Sequence, residues 1–376
     1  MSDHNTTPEL KQLRTELDRI DRELVERAAE RQRIVSEIGR LKRSVGRQLR
    51  DFRREREVLD GVRAHAESLG LDPGVAERLL TTLIEASLTR QETERVALAG
   101  RGAGRRALVI GGAGRLGGWL VRFLDSQGFD ALVADPATAD LPGHYRDWHD
   151  APLDVDVIVV AAPLMASRRV LDELIDRRPQ ALVFDVASVK APLTDTLKRA
   201  AVAGLSICSI HPMFGPDTRL LAGRHVLLMD CGCPQAVAAA RALFADTMAE
   251  LVEVSLEQHD RLMAWVLGLS HALNLLFVAT LAETGAAAED LAAISSTTFQ
   301  RQLELAGAVS GESPELYFEI QHLNPANHAT LDGMLATLTR IHDAVSDGDS
   351  EAFSSLMRAG HAWAARHRGA RGGDAA

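Results

Sequence analysis

The sequence has few cysteines, no long apolar run and no recognisable export signal. The three cysteines, Cys208, Cys231 and Cys233, lack the paired spacing of a zinc site and the even count of a disulfide framework. We therefore expect reduced, structural thiols and no metal centre. The N-terminus lacks a basic region followed by an apolar core, and no stretch reaches about 18 uninterrupted apolar residues. These absences predict a cytoplasmic protein that does not cross a membrane.

Length, composition and charge narrow the class of protein further. A chain of 376 residues is long enough for two or three domains, and its 46% hydrophobic and 25% charged residues are typical of globular proteins. The formal net charge of -10 argues against a general nucleic-acid binder. Residues 31–58 are nonetheless strongly basic, and such a patch could hold a small dianion.

The first part of the chain has the periodicity of helices. Apolar residues recur at helical spacing from Leu10 to about Arg43, a second helix fits residues 53–69, and a third runs from the LDPG turn to about Glu92. Three helices with so little apolar surface cannot make a thick core, so we expect a partner chain. The small, basic residues 93–105 then form a linker after this all-helical domain, residues 1–92.

Short apolar runs follow the linker and alternate with helical stretches. This pattern predicts a parallel, doubly wound sheet of the Rossmann type. The runs are residues 107–112, 130–135, 155–163, 181–188 and 206–212. From about Pro234 the pattern is almost wholly helical. We therefore predict a dinucleotide-binding domain at 106–230 and an all-helical lobe for substrate binding and dimerisation at 231–376.

A glycine-rich motif joins the first of these strands to the next helix. Gly112, Gly114 and Gly117 have the GxGxxG spacing, and Asp135 ends the following strand. The first glycine would permit the tight turn, the second would let the backbone approach a pyrophosphate, and the third would allow close helix–sheet packing. A carboxylate at the position of Asp135 binds the ribose hydroxyls and repels a 2′-phosphate. The motif predicts NAD, rather than NADP, as the cofactor.

The segment HPMFGPD, which begins at His211, resembles the signature of prephenate dehydrogenases, in the form found in bifunctional chorismate mutase–prephenate dehydrogenases. The resemblance extends over most of residues 106–365. It rests also on these segments: Asp185–Lys190, Gln258–Asp260, Ser270–His271, Ser295–Ser296, Pro314–Tyr317 and Asn327. It implies NAD-dependent oxidative decarboxylation of prephenate to 4-hydroxyphenylpyruvate.

This resemblance assigns roles to several residues. His211 would accept the hydrogen of the substrate C4 hydroxyl, a task suited to a neutral imidazole near neutral pH. Ser188 would lie near the hydroxyl end of the substrate and His271 near its side chain, although a structural core histidine is the alternative for His271. We expect His259 and Asp260 to be structural.

The N-terminal 92 residues resemble the all-helical class of chorismate mutases. The positions that the resemblance implies for substrate contact are Arg14, Arg31, Lys42, Asp51, Arg54, Glu55, Ser87 and Gln91. Arg31 and Lys42 are separated by about three helical turns and share a face, whereas Arg14 falls roughly 100° away. This agrees with the family architecture, in which that arginine comes from the partner protomer of a homodimer.

The mutase reaction is a Claisen rearrangement of chorismate to prephenate, and it needs no nucleophile, acid or metal. The resemblance implies that Arg14 and Arg31 clamp the carboxylates, and that Lys42 and Gln91 donate to the ether oxygen. Glu55 and Asp51 would engage the ring substituent at C4. A solvated basic helix face is the alternative to this site.

Two other classes of function stay open at this point. The N-terminal helices could be only a dimerising or regulatory arm on a monofunctional dehydrogenase, which an assay of mutase activity decides. The whole chain could instead be an NAD-binding sensor without turnover, although His211 in its motif argues against this.

Gln300 departs from the dehydrogenase resemblance, because it stands where an arginine that binds a substrate carboxylate is implied. Arg301 points about 100° away on a helix and is a poor substitute. A related pair of reactions uses 4-amino-4-deoxychorismate and 4-amino-4-deoxyprephenate and gives 4-aminophenylpyruvate for 4-aminophenylalanine and antibiotic biosynthesis. A nearby arginine would repel the ammonium of such a substrate. The sequence therefore leaves two substrate series open, this one and the tyrosine pathway.

Overall fold

The computed structural model describes residues 7–44, 50–139, 141–285 and 287–372. Two compact units divide the chain. The first contains the N-terminal residues up to Gly100 together with the short segments 218–223 and 246–249, and the second contains the remainder.

The first unit is built on the three predicted helices. These are α1 (Pro8–Ser44), α2 (Phe52–Ser68) and α3 (Pro73–Ala99). The Asp51 side chain caps α2 by accepting the Arg54 N–H, and Asp72 caps α3 ahead of a proline at its first position. The third helix runs seven residues beyond its predicted end at Glu92, up to Gly100 in a left-handed conformation. Much of the predicted linker 93–105 is therefore helix.

Glu92 explains why two short segments of the later chain belong to the first unit. Its carboxylate is only 5% exposed and accepts the backbone N–H of Leu221 at 2.8 Å and that of Met248. Burial raises the pKa of Glu92 against the effect of these two hydrogen bonds. A buried carboxylate with two backbone donors is satisfied, so it ties both segments to α3.

The second unit contains the predicted sheet and its covering helices. Its strands are β1 (Arg106–Ile110), β2 (Asp130–Ala134), β3 (His144–Tyr145), β4 (Val157–Val160), β5 (Leu182–Asp185), β6 (Ile207–Pro212), β7 (His225–Asp230) and β8 (Glu250–Glu253). Their order in the sheet is β3-β2-β1-β4-β5-β6-β7-β8. The helices between them are α4 (Arg115–Ser126), α5 (Leu164–Arg177), α6 (Thr194–Val202) and α7 (Pro234–Phe244).

The sheet is parallel from β3 to β6, as predicted, and it then continues farther than predicted. β7 pairs antiparallel with β6, and β8 pairs parallel with β7. The prediction that the chain is almost wholly helical from Pro234 is wrong at β8. The sheet therefore continues beyond residue 230, where the predicted dinucleotide-binding domain ends. The carboxyl ends of β1, β2, β5 and β6 lie at the same edge of the sheet, which brings the predicted site residues together.

The rest of the second unit is helical. It comprises α8 (Leu256–Met263), a π-helical turn (Ala264–Leu269), α9 (Ser270–Glu283), α10 (Ala288–Ala293), α11 (Thr297–Ser310), α12 (Pro314–Leu323), α13 (Asn327–Ser346) and α14 (Ser350–Gly372). The continuous stretch Leu256–Glu283 has the length and hydropathy of a membrane span by composition alone. Its first half is anchored in the protein, because His259 is 0% exposed and Met263 is 3% exposed. Its second half exposes Leu273 and Leu275.

The cysteines are free thiols, and Cys208 and Cys231 are buried. Burial raises the pKa of Cys231 to about 12, so its thiol stays protonated and unreactive at neutral pH.

Candidate active sites

The cofactor cleft is formed where β1 meets α4. Gly111 has a φ of +87°, and a Cβ there would lie 2.6 Å from the backbone of Ala161. A Cβ on Gly117 would lie 2.0 Å from the Gly111 carbonyl oxygen, so the helix and loop could not approach so closely with any other residue. The tight turn thus occurs at Gly111, rather than at Gly112 as predicted. The paired glycines were the signal in the sequence for this shift.

Gly112 and Gly114 lie in the same loop, which faces a cavity of about 820 Å³ at the carboxyl ends of β1 and β2. Asp135 lines this cavity and accepts the N–H of Ala113 at 3.2 Å and that of Ala137 at 2.9 Å. A glycine-rich backbone loop next to a fixed carboxylate fits the pyrophosphate and ribose diol of a dinucleotide.

His211 occupies the carboxyl end of β6, where it is 4% exposed. Its Nδ1 lies 2.9 Å from Nε2 of His259, and Nδ1 of His259 lies 2.7 Å from a carboxylate oxygen of Asp260. Asp260 is held in turn by the backbone N–H groups of Lys190 and Ala191. The two residues expected to be structural are therefore hydrogen-bonded in a chain to His211.

This chain determines which nitrogen of His211 can accept a proton. An ionised carboxylate only accepts hydrogen bonds, so Nδ1 of His259 donates to Asp260 and Nε2 of a neutral His259 must accept. Nδ1 of His211 then donates to His259. Nε2 of His211 is left as a hydrogen-bond acceptor, as the proposed chemistry requires.

Electrostatics keep His211 neutral. Burial lowers its pKa well below the ordinary value of 6.5, and the positive charge of Lys190 lowers the pKa further. Lys190 is fully buried, donates to Asp185 at 2.6 Å and also donates to the Ile210 carbonyl next to His211. This pair fixes the loop after β5 against β6.

Ser188 lies half-buried in that loop, beside the strand that carries His211. His271, on α9, lines a largely apolar cavity of about 610 Å³ and stacks on Tyr317 with 4.4 Å between the ring centroids. Among the residues that the structure describes, none forms a hydrogen bond with its buried Nδ1 atom. Burial lowers the pKa of His271, so a neutral imidazole with a vacant polar atom faces this cavity.

Gln300 is exposed on α11, and Arg301 is exposed beside it. The next residue, Gln302, instead donates to Asn274 on α9 at 2.9 Å. The protomer therefore does not bring Gln300 into the hydrogen-bonded group around His211.

A second, separate site lies among the helices of the first unit. All the predicted mutase positions except Arg14 line one cavity of about 250 Å³: Arg31, Lys42, Asp51, Arg54, Glu55, Ser87 and Gln91. Arg31 donates to Ser87 Oγ at 3.2 Å, and Gln91 donates to the Val35 carbonyl at 3.0 Å. A Cβ on Gly39 would lie 3.1 Å from the Gln91 side chain, so this glycine makes room for it.

Arg14 lies far from this cavity on the same continuous helix as Arg31, about 25 Å away at the helical rise per residue. A row of apolar side chains on this helix is exposed, including Leu13 at 62% and Leu17 at 56%. Both observations favour a second copy of the chain against α1.

Two residues that make contacts in the helical site, Arg50 and Gln32, were not predicted. Arg50 donates through Nε and Nη2 to both oxygens of Glu55 and lies 4.3 Å from the ring centroid of Phe52. Gln32 accepts from Ser87 Oγ at 2.7 Å. The hydrogen bond to the Arg54 backbone lowers the pKa of Asp51 most, and the positive charge of Lys42 also lowers it.

Successive parts of the chain match three known domain families. Chorismate mutase type II matches residues 13–92, the nucleotide-binding domain of prephenate dehydrogenase matches 144–253, and its dimerization domain matches 255–359. Within the described ranges, no group of three or more His, Cys, Asp or Glu side chains is placed to hold a metal ion.

Individual proteins agree with these descriptions. The T-protein of Enterobacter agglomerans is 27% identical over 96% of this chain and 94% of its own length. The 4-amino-4-deoxyprephenate dehydrogenase of Streptomyces pristinaespiralis is 32% identical over 67% of this chain and 88% of its own length. Prephenate dehydrogenase from A. aeolicus, solved with hydroxyphenyl propionate and NAD+, aligns with a TM-score of 0.57 at 18% identity, over 70% of this chain and 98% of that one. This last likeness shows the shared fold.

Proposed function

Because this chain belongs to the family of bifunctional chorismate mutase–prephenate dehydrogenases, we propose that it carries out two successive steps toward tyrosine. One site rearranges chorismate to prephenate. The other oxidises prephenate with NAD to 4-hydroxyphenylpyruvate and CO2. The observation that carries the proposal is that one chain holds a neutral, oriented His211 at the same edge of the sheet as a dinucleotide cleft, and also a separate cavity lined by the mutase residues.

In the dehydrogenase step, Nε2 of His211 accepts the proton of the substrate C4 hydroxyl while the hydroxyl becomes a carbonyl. Bound NAD supplies the acceptor for the hydride that leaves C4. The bond from C1 to its carboxylate breaks, CO2 leaves, and the electron pair moves through the ring to the C4 oxygen. The resulting phenolate takes back the proton held by His211 and becomes a phenol. Aromatisation drives the step, so His211 has to orient the hydroxyl, take its proton and return it. Ser188 would contact the hydroxyl end, and the vacant Nδ1 of His271 would bind the substrate side chain.

In the mutase step, the cavity holds a dicarboxylate in its compact conformation. Arg31, already fixed by Ser87, binds one carboxylate, and Arg14 of a second copy binds the other. Lys42 and Gln91 donate to the ether oxygen, where negative charge develops as the C–O bond breaks. Asp51 and Glu55 contact the ring hydroxyl, and Arg50 holds Glu55 in place.

The active form is a homodimer in this proposal. Arg14 cannot reach the cavity of its own chain, and the exposed apolar row on α1 needs a cover. The exposed leucines of α9 are a second such surface, within the segment matched by the dimerization domain. We place the enzyme in the cytoplasm, with small-molecule substrates and with neither nucleic acid nor membrane as a partner.

The test is to assay the purified full-length chain with chorismate alone, and then with prephenate and NAD. Loss of chorismate in the first assay and NADH formation in the second are expected. Turnover of prephenate without any loss of chorismate would reduce the helices to a dimerising or regulatory arm. Absence of both activities, with NAD still bound, would favour a sensor.

A second candidate is the same pair of steps on 4-amino-4-deoxychorismate and 4-amino-4-deoxyprephenate. Gln300 favours it, since a neutral amide replaces the arginine implied for prephenate, and one relative carries the name of that activity. Specificity constants for prephenate and 4-amino-4-deoxyprephenate, measured side by side with the same enzyme, decide between the two.

A further inference from the structure

At the cofactor cleft, a histidine side chain lies between two carboxylates. Nδ1 of His149 lies 2.5 Å from Asp147, and Nε2 lies 2.6 Å from Glu173. His149 and Asp147 belong to the segment 144–150, which follows β2 and begins with β3, whereas Glu173 lies on α5. All three residues line the cavity that also contains Asp135. The histidine therefore joins two walls of the cleft.

Both contacts can be hydrogen bonds only when the ring carries two protons. A carboxylate accepts and does not donate, and a neutral imidazole has one N–H. The hydrogen bonds to Asp147 and Glu173 accordingly raise the pKa of His149. Loss of one proton removes one of the two bonds and leaves a lone pair facing a carboxylate.

The charges around this bridge are nearly balanced while His149 is a cation. Its own segment supplies Arg146 and Asp147, and α5 supplies Arg169 and Glu173. Asp135 faces the same cavity, and, behind Trp148, Arg177 lies 4.8 Å from the indole ring centroid. Neutralising His149 leaves the cleft more negative, and NAD brings two phosphate charges to it.

We propose that His149 is a positioning residue of the cofactor site, which as a cation clamps the segment 144–150 to α5 and shapes the half of the cleft that receives the adenosine of NAD. Asp135 identifies that half, because a carboxylate at the end of β2 binds the adenosine ribose. The inference rests on the proposed use of NAD at this cleft. It adds a residue whose proton controls cofactor affinity without contact with the reacting atoms.

The test is NAD binding to the full-length enzyme, measured by calorimetry and by intrinsic tryptophan fluorescence, to which Trp148 in the cleft contributes, from about pH 6 to about pH 9. The dissociation constant of the native enzyme should rise roughly two- to fivefold toward the alkaline side, as expected for half-exposed ion pairs. His149→Gln should bind NAD weakly at every pH, with a flat profile, and Glu173→Gln should lie between the two. KM for NAD should rise in His149→Gln by a larger factor than kcat falls.

The matched control is His342→Gln, which removes an exposed histidine paired with Asp343 on α13. This variant should keep the native affinity and the native pH profile. Circular dichroism and thermal unfolding of the same preparations report whether each variant is folded. An unchanged dissociation constant and an unchanged pH profile in folded His149→Gln would overturn the role of His149. Failure of the native enzyme to bind NAD at all would instead overturn the cofactor assignment, and the proposal with it.

Discussion

The imidazole of His259 lies between His211 and Asp260, with 2.9 Å from its Nε2 to Nδ1 of His211 and 2.7 Å from its Nδ1 to the Asp260 carboxylate. These three side chains are buried, so no water competes for their hydrogen bonds. The consequence is that the proton of neutral His211 resides on Nδ1 and the acceptor nitrogen is left for the substrate.

His259→Asn should therefore slow the dehydrogenase and leave the mutase unchanged. We expect kcat to fall by roughly ten- to a thousandfold, because the acceptor nitrogen is no longer fixed. The informative measurement is the double variant with His211→Asn. If His259 acts through His211, the double variant is no slower than His211→Asn alone. Fully additive losses would show that His259 acts elsewhere.

The pH profile of the dehydrogenase should carry the low pKa of His211. Only the neutral imidazole can accept the substrate proton, and burial holds the pKa of this residue well below 6.5. The specificity constant for prephenate should stay level as pH falls to 6.5 and should decline only in more acidic solution. A decline centred at or above the ordinary value for histidine would contradict the buried, neutral state.

The same shift has a consequence for stability. A histidine whose pKa is depressed in the folded state binds protons more readily when unfolded, so its contribution is complete above pH 6.5 and is lost as pH falls toward the folded pKa. His259 and His271 are also depressed, chiefly by burial, and act in the same direction. The free energy of unfolding is measured with urea at pH values above and below this range, for the native enzyme and for His211→Asn. It should decrease less on acidification in the variant than in the native enzyme.

The sequence was most informative where a strand or helix pattern also determined where a side chain lies in the fold. The parallel strands predicted the edge at which the glycine loop, Asp135 and His211 meet, because the carboxyl ends of such strands share one side of the sheet. The helical spacing of Arg31 and Lys42 likewise predicted a common face, and both line one cavity.

Contacts between residues that are far apart in the sequence could not be predicted from local sequence patterns. His259 follows His211 on a different element, and only packing of α8 against the sheet brings their rings together. The short strand β8 has no alternation of buried and exposed residues, so nothing local distinguished it from a helix or loop. Similarly, the small and basic residues after Glu92 resembled a linker and concealed the last two turns of α3, which end where Gly100 adopts a left-handed conformation.

The two sites should fail independently. His211→Asn should abolish NADH formation and keep mutase turnover near the native value, whereas Lys42→Ala should do the reverse, since the two residues belong to different compact units. Both activities are measured on each purified variant, with circular dichroism as the check on folding. Loss of both activities from one folded variant would contradict separate sites.

Cofactor choice should depend on Asp135. Its carboxylate is fixed by the Ala113 and Ala137 N–H groups and would repel a 2′-phosphate. The specificity constant should clearly favour NAD over NADP, and Asp135→Asn should narrow that preference by removing the charge while keeping an acceptor oxygen. Equal use of both cofactors by the native enzyme would rule out this role.

Gln300 tests which substrate series the enzyme prefers. A guanidinium–carboxylate pair typically contributes on the order of 2 to 4 kcal/mol, so an amide at this position should bind prephenate more weakly unless another cation replaces it. An ammonium at C4 changes the balance, because a less positive pocket avoids repulsion and the neutral amine can hydrogen-bond Nε2 of His211 as the hydroxyl does. Since Gln300 is exposed on α11 of its own protomer, it can affect a substrate only where the assembled enzyme brings α11 to a site. Gln300→Arg should then raise the specificity constant for prephenate and lower that for 4-amino-4-deoxyprephenate, with Arg301→Gln as the neighbouring control and NADH formation as the measurement. If the native enzyme turns over prephenate efficiently and Gln300→Arg changes the specificity constant for neither substrate, Gln300 lies outside the site. The tyrosine pathway is then the function.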